Sequence, residues 1–182
     1  MVKTLIAIGT ATIFASVSVF AETAPYAGQD QRSIATLSGA DIDALLAGQG
    51  WGFALAAELN GYPGPLHVLE LAKELELTDQ QRAEVQSIYD DMNKRARALG
   101  ADYVRAEAEL SDAFNSGNLD EVDLETLVAR SARIEAELRS VHLAAHLEIK
   151  PLMSRHQVVL YNNARGYDSV GTSHGHDGHS HD

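Results

Sequence analysis

The chain has 182 residues, with 14 Lys and Arg against 26 Asp and Glu, a net charge of −12 and no cysteine. That balance excludes general nucleic-acid binding, which rests on basic side chains neutralising phosphate charge; a cationic ligand or a basic partner surface suits it, unless the acidic surface serves solubility alone. The missing cysteine excludes thiol catalysis, thiolate zinc sites and iron–sulfur clusters, and leaves stability to packing, oligomerisation or a metal.

At the N-terminus Lys3 precedes an apolar run from Leu5 to Phe20 and the small-residue site Val19-Phe20-Ala21, which is the pattern of a signal peptide over 1–21. The competing reading is a retained membrane anchor. Thr10, Thr12, Ser16 and Ser18 interrupt the run, and it falls short of the ~20 apolar residues a span needs. Cleavage makes the protein periplasmic, with no stable membrane span, and makes the remainder one charge more negative. Residues 22–37 are polar with little periodic pattern and are expected to form a flexible linker.

Ordered structure is expected from Ser38 to Tyr167 and to be all-α. Ser38 and Asp41 can cap a short helix whose apolar face carries Leu45 and Leu46 and which ends at Gly48 and Gly50. A second short helix is expected from Trp51 to Leu59. Tyr62-Pro63-Gly64-Pro65 is a turn, and Pro65 suits the first turn of a helix reaching about Leu75.

Thr78-Asp79-Gln80-Gln81 has the form of a capping box. Behind it Val85, Ile88, Met92, Ala96, Leu99, Tyr103, Ala106, Leu110 and Ala113 recur at steps of three and four, the seam of a helix facing another helix. Gly100 within that seam costs about 1 kcal/mol relative to alanine and is a plausible bend. A helix over 78–114 is roughly 55 Å long at ~1.5 Å per residue. Asn115 to Asn118 is the expected reversal. A return helix over 122–149 then carries Leu124, Leu127, Ser131, Ile134, Leu138, Val141 and Ala145 at the same spacing, so the pair makes a long antiparallel hairpin with short flanking helices.

Pro151 disfavours helix at Lys150. Ser154-Arg155-His156-Gln157 is a second capping box, opening a final helix that ends near Ala164 to Gly166. A two-helix hairpin buries little by itself, and a homodimer is therefore expected.

In their order and spacing these pieces resemble the Spy/CpxP-type family of periplasmic stress and heavy-metal-resistance proteins, which includes CnrX-like metal sensors and ZraP-like zinc proteins. Leu77-Thr78-Asp79-Gln80-Gln81 fits that family's L-T-x-x-Q motif, and Met153-Ser154-Arg155-His156-Gln157 is a degenerate second copy. Gly64 to Leu71, His142 to Leu147, and Tyr161 with Arg165-Gly166-Tyr167 are similar to the metal-sensor branch. The resemblance covers 38–167 and implies either a metal-sensing or metal-buffering stress protein, or an ATP-independent chaperone or signalling adaptor that engages unfolded client proteins or an envelope sensor protein.

His142 and His146 stand at i and i+4, where two imidazoles on one helix face can bridge a divalent metal. The plainer alternative is two helix histidines satisfied by hydrogen bonds. Leu143 occupies the place of the general-base glutamate in the H-E-x-x-H motif, and no nucleophile motif is present, so no enzyme is expected. Two ligands hold a metal poorly. His67 and Glu70 are the best candidates to complete the site, because the chain path brings their helix to the end of the return helix. This donor set suits Zn, Ni, Co or Cu(II), with Met153 as a soft ligand for Cu(I). The tail over 168–182, with His174, His176, His179 and His181 among Gly, Ser and Asp, cannot pack but can capture metal weakly; an expression tag is the alternative, though the sequence is not a plain histidine run.

Overall fold

The computed structural model describes residues 25–167, so the expected signal peptide over 1–21 and the His-rich tail over 168–182 lie outside the described residues. The elements are α1 (Gly39–Leu46), α2 (Leu55–Glu58), α3 (Pro65–Glu70), α4 (Asp79–Ser116), α5 (Glu121–Ile149), a 3-10 turn (Lys150–Leu152) and α6 (Arg155–Arg165). Among the described residues the only β pairing is an isolated bridge between Ile34 and Leu37. No helix there is long and apolar enough to cross a membrane.

The two long helices form the frame. The capping box at Thr78 is complete: Gln81 N–H donates to Thr78 Oγ1, and Thr78 N–H donates to Gln81 Oε1, both at 3.1 Å. At the far end Gly117 takes a left-handed φ of 70°, which a side chain would resist, and Asp120 caps α5 by accepting from Asp123 N–H at 2.9 Å. The apolar seams meet as their spacing requires. Val85, Met92, Ala96, Tyr103 and Ala106 on α4 are buried, as are Ile134, Leu138, Val141 and Ala145 on α5.

Gly100 does not interrupt α4, which runs unbroken for 38 residues. The glycine permits a close contact, since a Cβ at this position would lie 2.2 Å from Leu45 O. Only a residue without a side chain lets α1 lie this close to α4. Leu45 then becomes fully buried beside Ala96 and Met92.

Packing also starts earlier in the chain than Ser38. Ile34 and Leu37 are buried in the same core, closed by a turn in which Leu37 N–H donates to Ile34 O at 3.2 Å. Between them Thr36 Oγ1 donates to Glu107 Oε2 at 2.5 Å, while Ser131 Oγ donates to the other oxygen of the same buried carboxylate. The polar composition of 22–37 hid this anchor.

The helix expected from Trp51 to Leu59 is reduced to α2. Trp51 and Gly52 take left-handed φ values of 41° and 77°, and Trp51 turns its indole N–H to Asp41 Oδ1 at 2.8 Å. Likewise α3 stops at Glu70 rather than Leu75. The chain continues as successive turns to Glu76, whose φ is 50°, and so enters the Thr78 cap from the side.

The two capping glutamines close the open end of the hairpin. Gln81 Nε2 donates to Leu152 O at 2.7 Å and to Gln157 Oε1 at 3.1 Å. Gln157 Nε2 donates to Leu75 O and to Gln81 Oε1, each at 3.1 Å. Each carboxamide oxygen also accepts its own N-cap N–H, from Thr78 and Ser154 respectively. Every side-chain donor and acceptor of this half-buried pair is thus used, and α6 is fixed across the start of α4. A second core gathers beneath it from Val68, Leu75, Val85, Ile149, Met153 and Tyr161.

Two outcomes follow. Gly100→Ala raises helix propensity by about 1 kcal/mol, yet the overlap with Leu45 O should reverse the sign and cost about 1–3 kcal/mol in urea unfolding; a stabilised variant would contradict the packing. The Asp41 carboxyl is lowered from 3.8 to about 2 by hydrogen bonds from Ser38 and Trp51. Its stabilisation of the α1 cap is therefore complete above 3.8 and is lost as pH falls through about 2. Emission from the single tryptophan should shift over that window in the native chain and not in Asp41→Asn.

Candidate metal centre

The antiparallel hairpin returns the end of α5 to the start of α4, and the 61–64 loop and α3 lie against it. His142 and His146, one turn apart on α5, are 3% and 6% exposed and face this loop. His146 Nδ1 is 2.7 Å from Tyr62 O. A carbonyl only accepts, so Nδ1 carries the hydrogen, and in the neutral ring Nε2 keeps its lone pair. Outer-shell hydrogen bonds of this kind fix the ring of a metal-binding histidine.

Gly64 makes room for that ring. A Cβ there would sit 2.9 Å from His146 Cε1, 3.1 Å from His146 Nε2 and 3.4 Å from Glu58 Oε2. An imidazole nitrogen and a carboxylate oxygen thus border the same side-chain-sized space. His142 stacks on Phe53, with centroids 6.2 Å apart and planes at 25°, and its Nε2 is buried without a hydrogen-bond partner. Burial, and then the neighbouring His146, hold the His142 pKa below its ordinary 6.5, which favours the neutral ring that can coordinate.

Glu58, 7% exposed, is the residue that sequence reasoning missed. Its Oε1 accepts from Tyr161 OH at 2.5 Å and Tyr167 OH at 3.0 Å, with Arg165 Nε at 3.5 Å. Tyr161 OH in turn lies 3.2 Å from Gly64 N–H, from which it accepts. Burial, and then the bond to Glu58, keep the Tyr161 phenol protonated far above the ordinary tyrosine range. The only signal in the sequence was an acid placed inside an otherwise apolar segment, Trp51 to Leu59.

A cavity of about 500 Å³ opens here, bordered by Glu58, Gly64, His67, His142, His146, Arg165 and Tyr167 together with Trp51, Tyr89 and Met92. It gathers three of the expected residues, His67, His142 and His146. Glu70 stands outside, with Oε2 2.9 Å from His67 Nδ1, so it holds that ring from behind. Met153 is buried in the second core and does not border the cavity, which removes the soft ligand offered for Cu(I). The tail histidines His174, His176, His179 and His181 lie outside the described residues.

As placed, no group of three or more His, Asp or Glu among the described residues stands close enough together to hold an ion. The donors share a cavity but are not drawn onto one point. Their chemistry nonetheless fits a borderline divalent ion: His146 Nε2 with a free lone pair, His142 Nε2 buried without any partner, and a carboxylate oxygen across a space that one methyl group would fill.

No curated protein and no solved structure matches this chain. The heavy-metal resistance family matches residues 42–158, a span that runs from α1 through both long helices into α6, covers more than half of the chain and includes Glu58, both α5 histidines and both capping glutamines. The chain belongs to the heavy-metal resistance family.

Proposed function

We propose that this chain is a periplasmic, non-enzymatic metal-binding stress protein that senses or buffers a divalent transition ion, Zn, Ni, Co or Cu, in the cavity beside α5. The observation that carries this reading is the buried, partnerless His142 Nε2 sharing a cavity with His146 Nε2. An unsatisfied buried polar atom costs about 1–3 kcal/mol, and coordination offsets that cost. His142 and His146 are the primary ligands, and His67, oriented by Glu70, faces them across the cavity. The tail histidines collect ions weakly and raise their concentration near the fold.

A chaperone or signalling adaptor would use a face offering free basic side chains. Arg95, Arg130 and Arg133 are each paired with an acid, Asp91, Glu109 and Glu137 respectively. Nothing in their placement favours that alternative. Leu55 and Leu59 are each 57% exposed on one side of α2, an apolar surface that supports pairing of two copies. Sedimentation at tens of micromolar should give twice the chain mass, and a monomer would count against the dimer.

The ligand test uses protein whose four tail histidines are replaced by alanine, titrated with each of the four metals by calorimetry. Adding His142→Ala with His146→Ala should abolish tight binding. In the parent, affinity should weaken only as pH falls below 6.5, into the depressed range of His142, because protons compete for its ring. Unchanged affinity in the double variant would overturn the metal reading and move it to the chaperone alternative.

A further inference from the structure

We propose that Glu58 is the third protein ligand of this site, through Oε2, and that its other oxygen links the bound ion to the C-terminal end of α6. This deepens the metal reading above and rests on it. The two oxygens of Glu58 are in different situations. Oε1 is fully engaged by Tyr161 OH at 2.5 Å, Tyr167 OH at 3.0 Å and Arg165 Nε at 3.5 Å. Oε2 has only His146 Nδ1 nearby, at 3.7 Å, and that N–H already donates to Tyr62 O.

Oε2 therefore belongs to a buried side chain, makes no hydrogen bond and has lone pairs to spare. It lies 3.4 Å from the point where a Cβ on Gly64 would sit, and His146 Nε2 lies 3.1 Å from the same point. Carboxylate and imidazole bonds to a divalent transition ion are about 2.0–2.2 Å long, so a modest inward movement of both groups meets on one ion. Two hydrogen bonds, from Tyr161 OH and Tyr167 OH, hold Oε1 while this happens, with the Arg165 charge alongside, as outer-shell partners do for a ligating carboxylate.

The consequence is mechanical. Every group on Oε1 belongs to α6 or to the residue two beyond its end, Tyr167, which borders the same cavity and directly precedes the segment carrying the tail histidines. Drawing Glu58 toward an ion pulls on Tyr161, Arg165 and Tyr167 together. Occupancy of the cavity is thus transmitted to the C-terminal end of the fold, a route for reporting metal to a partner that reads that end.

The experiment compares Zn binding to the protein carrying tail His→Ala replacements with the same protein carrying Glu58→Gln, which keeps shape and the acceptor for the tyrosines but offers no second anionic oxygen. Glu58→Gln should bind Zn at least tenfold more weakly. Zn should also shift a carboxylate stretch in the infrared difference spectrum of the parent, together with a tyrosine ring band, and both changes should vanish in Glu58→Gln. If binding needs the two α5 histidines but is unchanged in Glu58→Gln, the Glu58 proposal is wrong and the metal reading stands. If binding ignores the histidines as well, both fall. Should Glu58→Gln fail to fold, the parent spectrum decides: Zn binding without a carboxylate change overturns the proposal.

Discussion

A buried carboxylate is the constraint around which the functional end of this molecule is arranged. Taking Glu58 out of water costs several kcal/mol unless its oxygens are satisfied. The fold meets that demand from α6 and from Tyr167 just beyond its end, with two phenols and a guanidinium converging on Oε1. Because those donors come from the last element, α6 must cross the start of α4 and the end of α5. The same demand leaves Oε2 turned toward His146 and Gly64, and so the group that ties the fold together is also placed at the cavity.

What holds α6 in that position is the reciprocal pair formed by Gln81 and Gln157. Each glutamine first completes a local cap, an interaction of a helix with its own first turn. Each then uses its remaining hydrogens on the other glutamine and on a backbone carbonyl from the opposite segment, Leu152 O or Leu75 O. Two short-range signals thereby become one long-range fastening.

The hairpin was legible in the sequence because its determinants are periodic and local. Three–four spacing marks the seams, Thr78 and Ser154 mark helix starts, and Gly117 and Gly166 mark ends. Features set by contact across the chain were not legible. Gly100 was legible only as a weak point of the helix, while its contact role depends on Leu45 arriving 55 residues away in sequence. Trp51 looked helical because its bond to Asp41 overrides local preference. At the site, the His142–His146 pair follows from helix spacing and His67 from the chain path. Glu70 does not reach the cavity because the i,i+3 contact with His67 is the shorter reach. Glu58 needed the folded partners Tyr161, Arg165 and Tyr167 to be recognised at all.

In the proposed function, imidazoles from α5 hold a transition ion inside the fold and not only on the tail. The most direct measurement is X-ray absorption at the metal edge of Zn- or Ni-loaded protein whose four tail histidines are alanine. One bound ion per chain is expected, with the multiple-scattering signature of at least two imidazoles that disappears when His142 and His146 are replaced. A loaded ion surrounded by oxygen alone, or no ion retained once the tail histidines are gone, would contradict it.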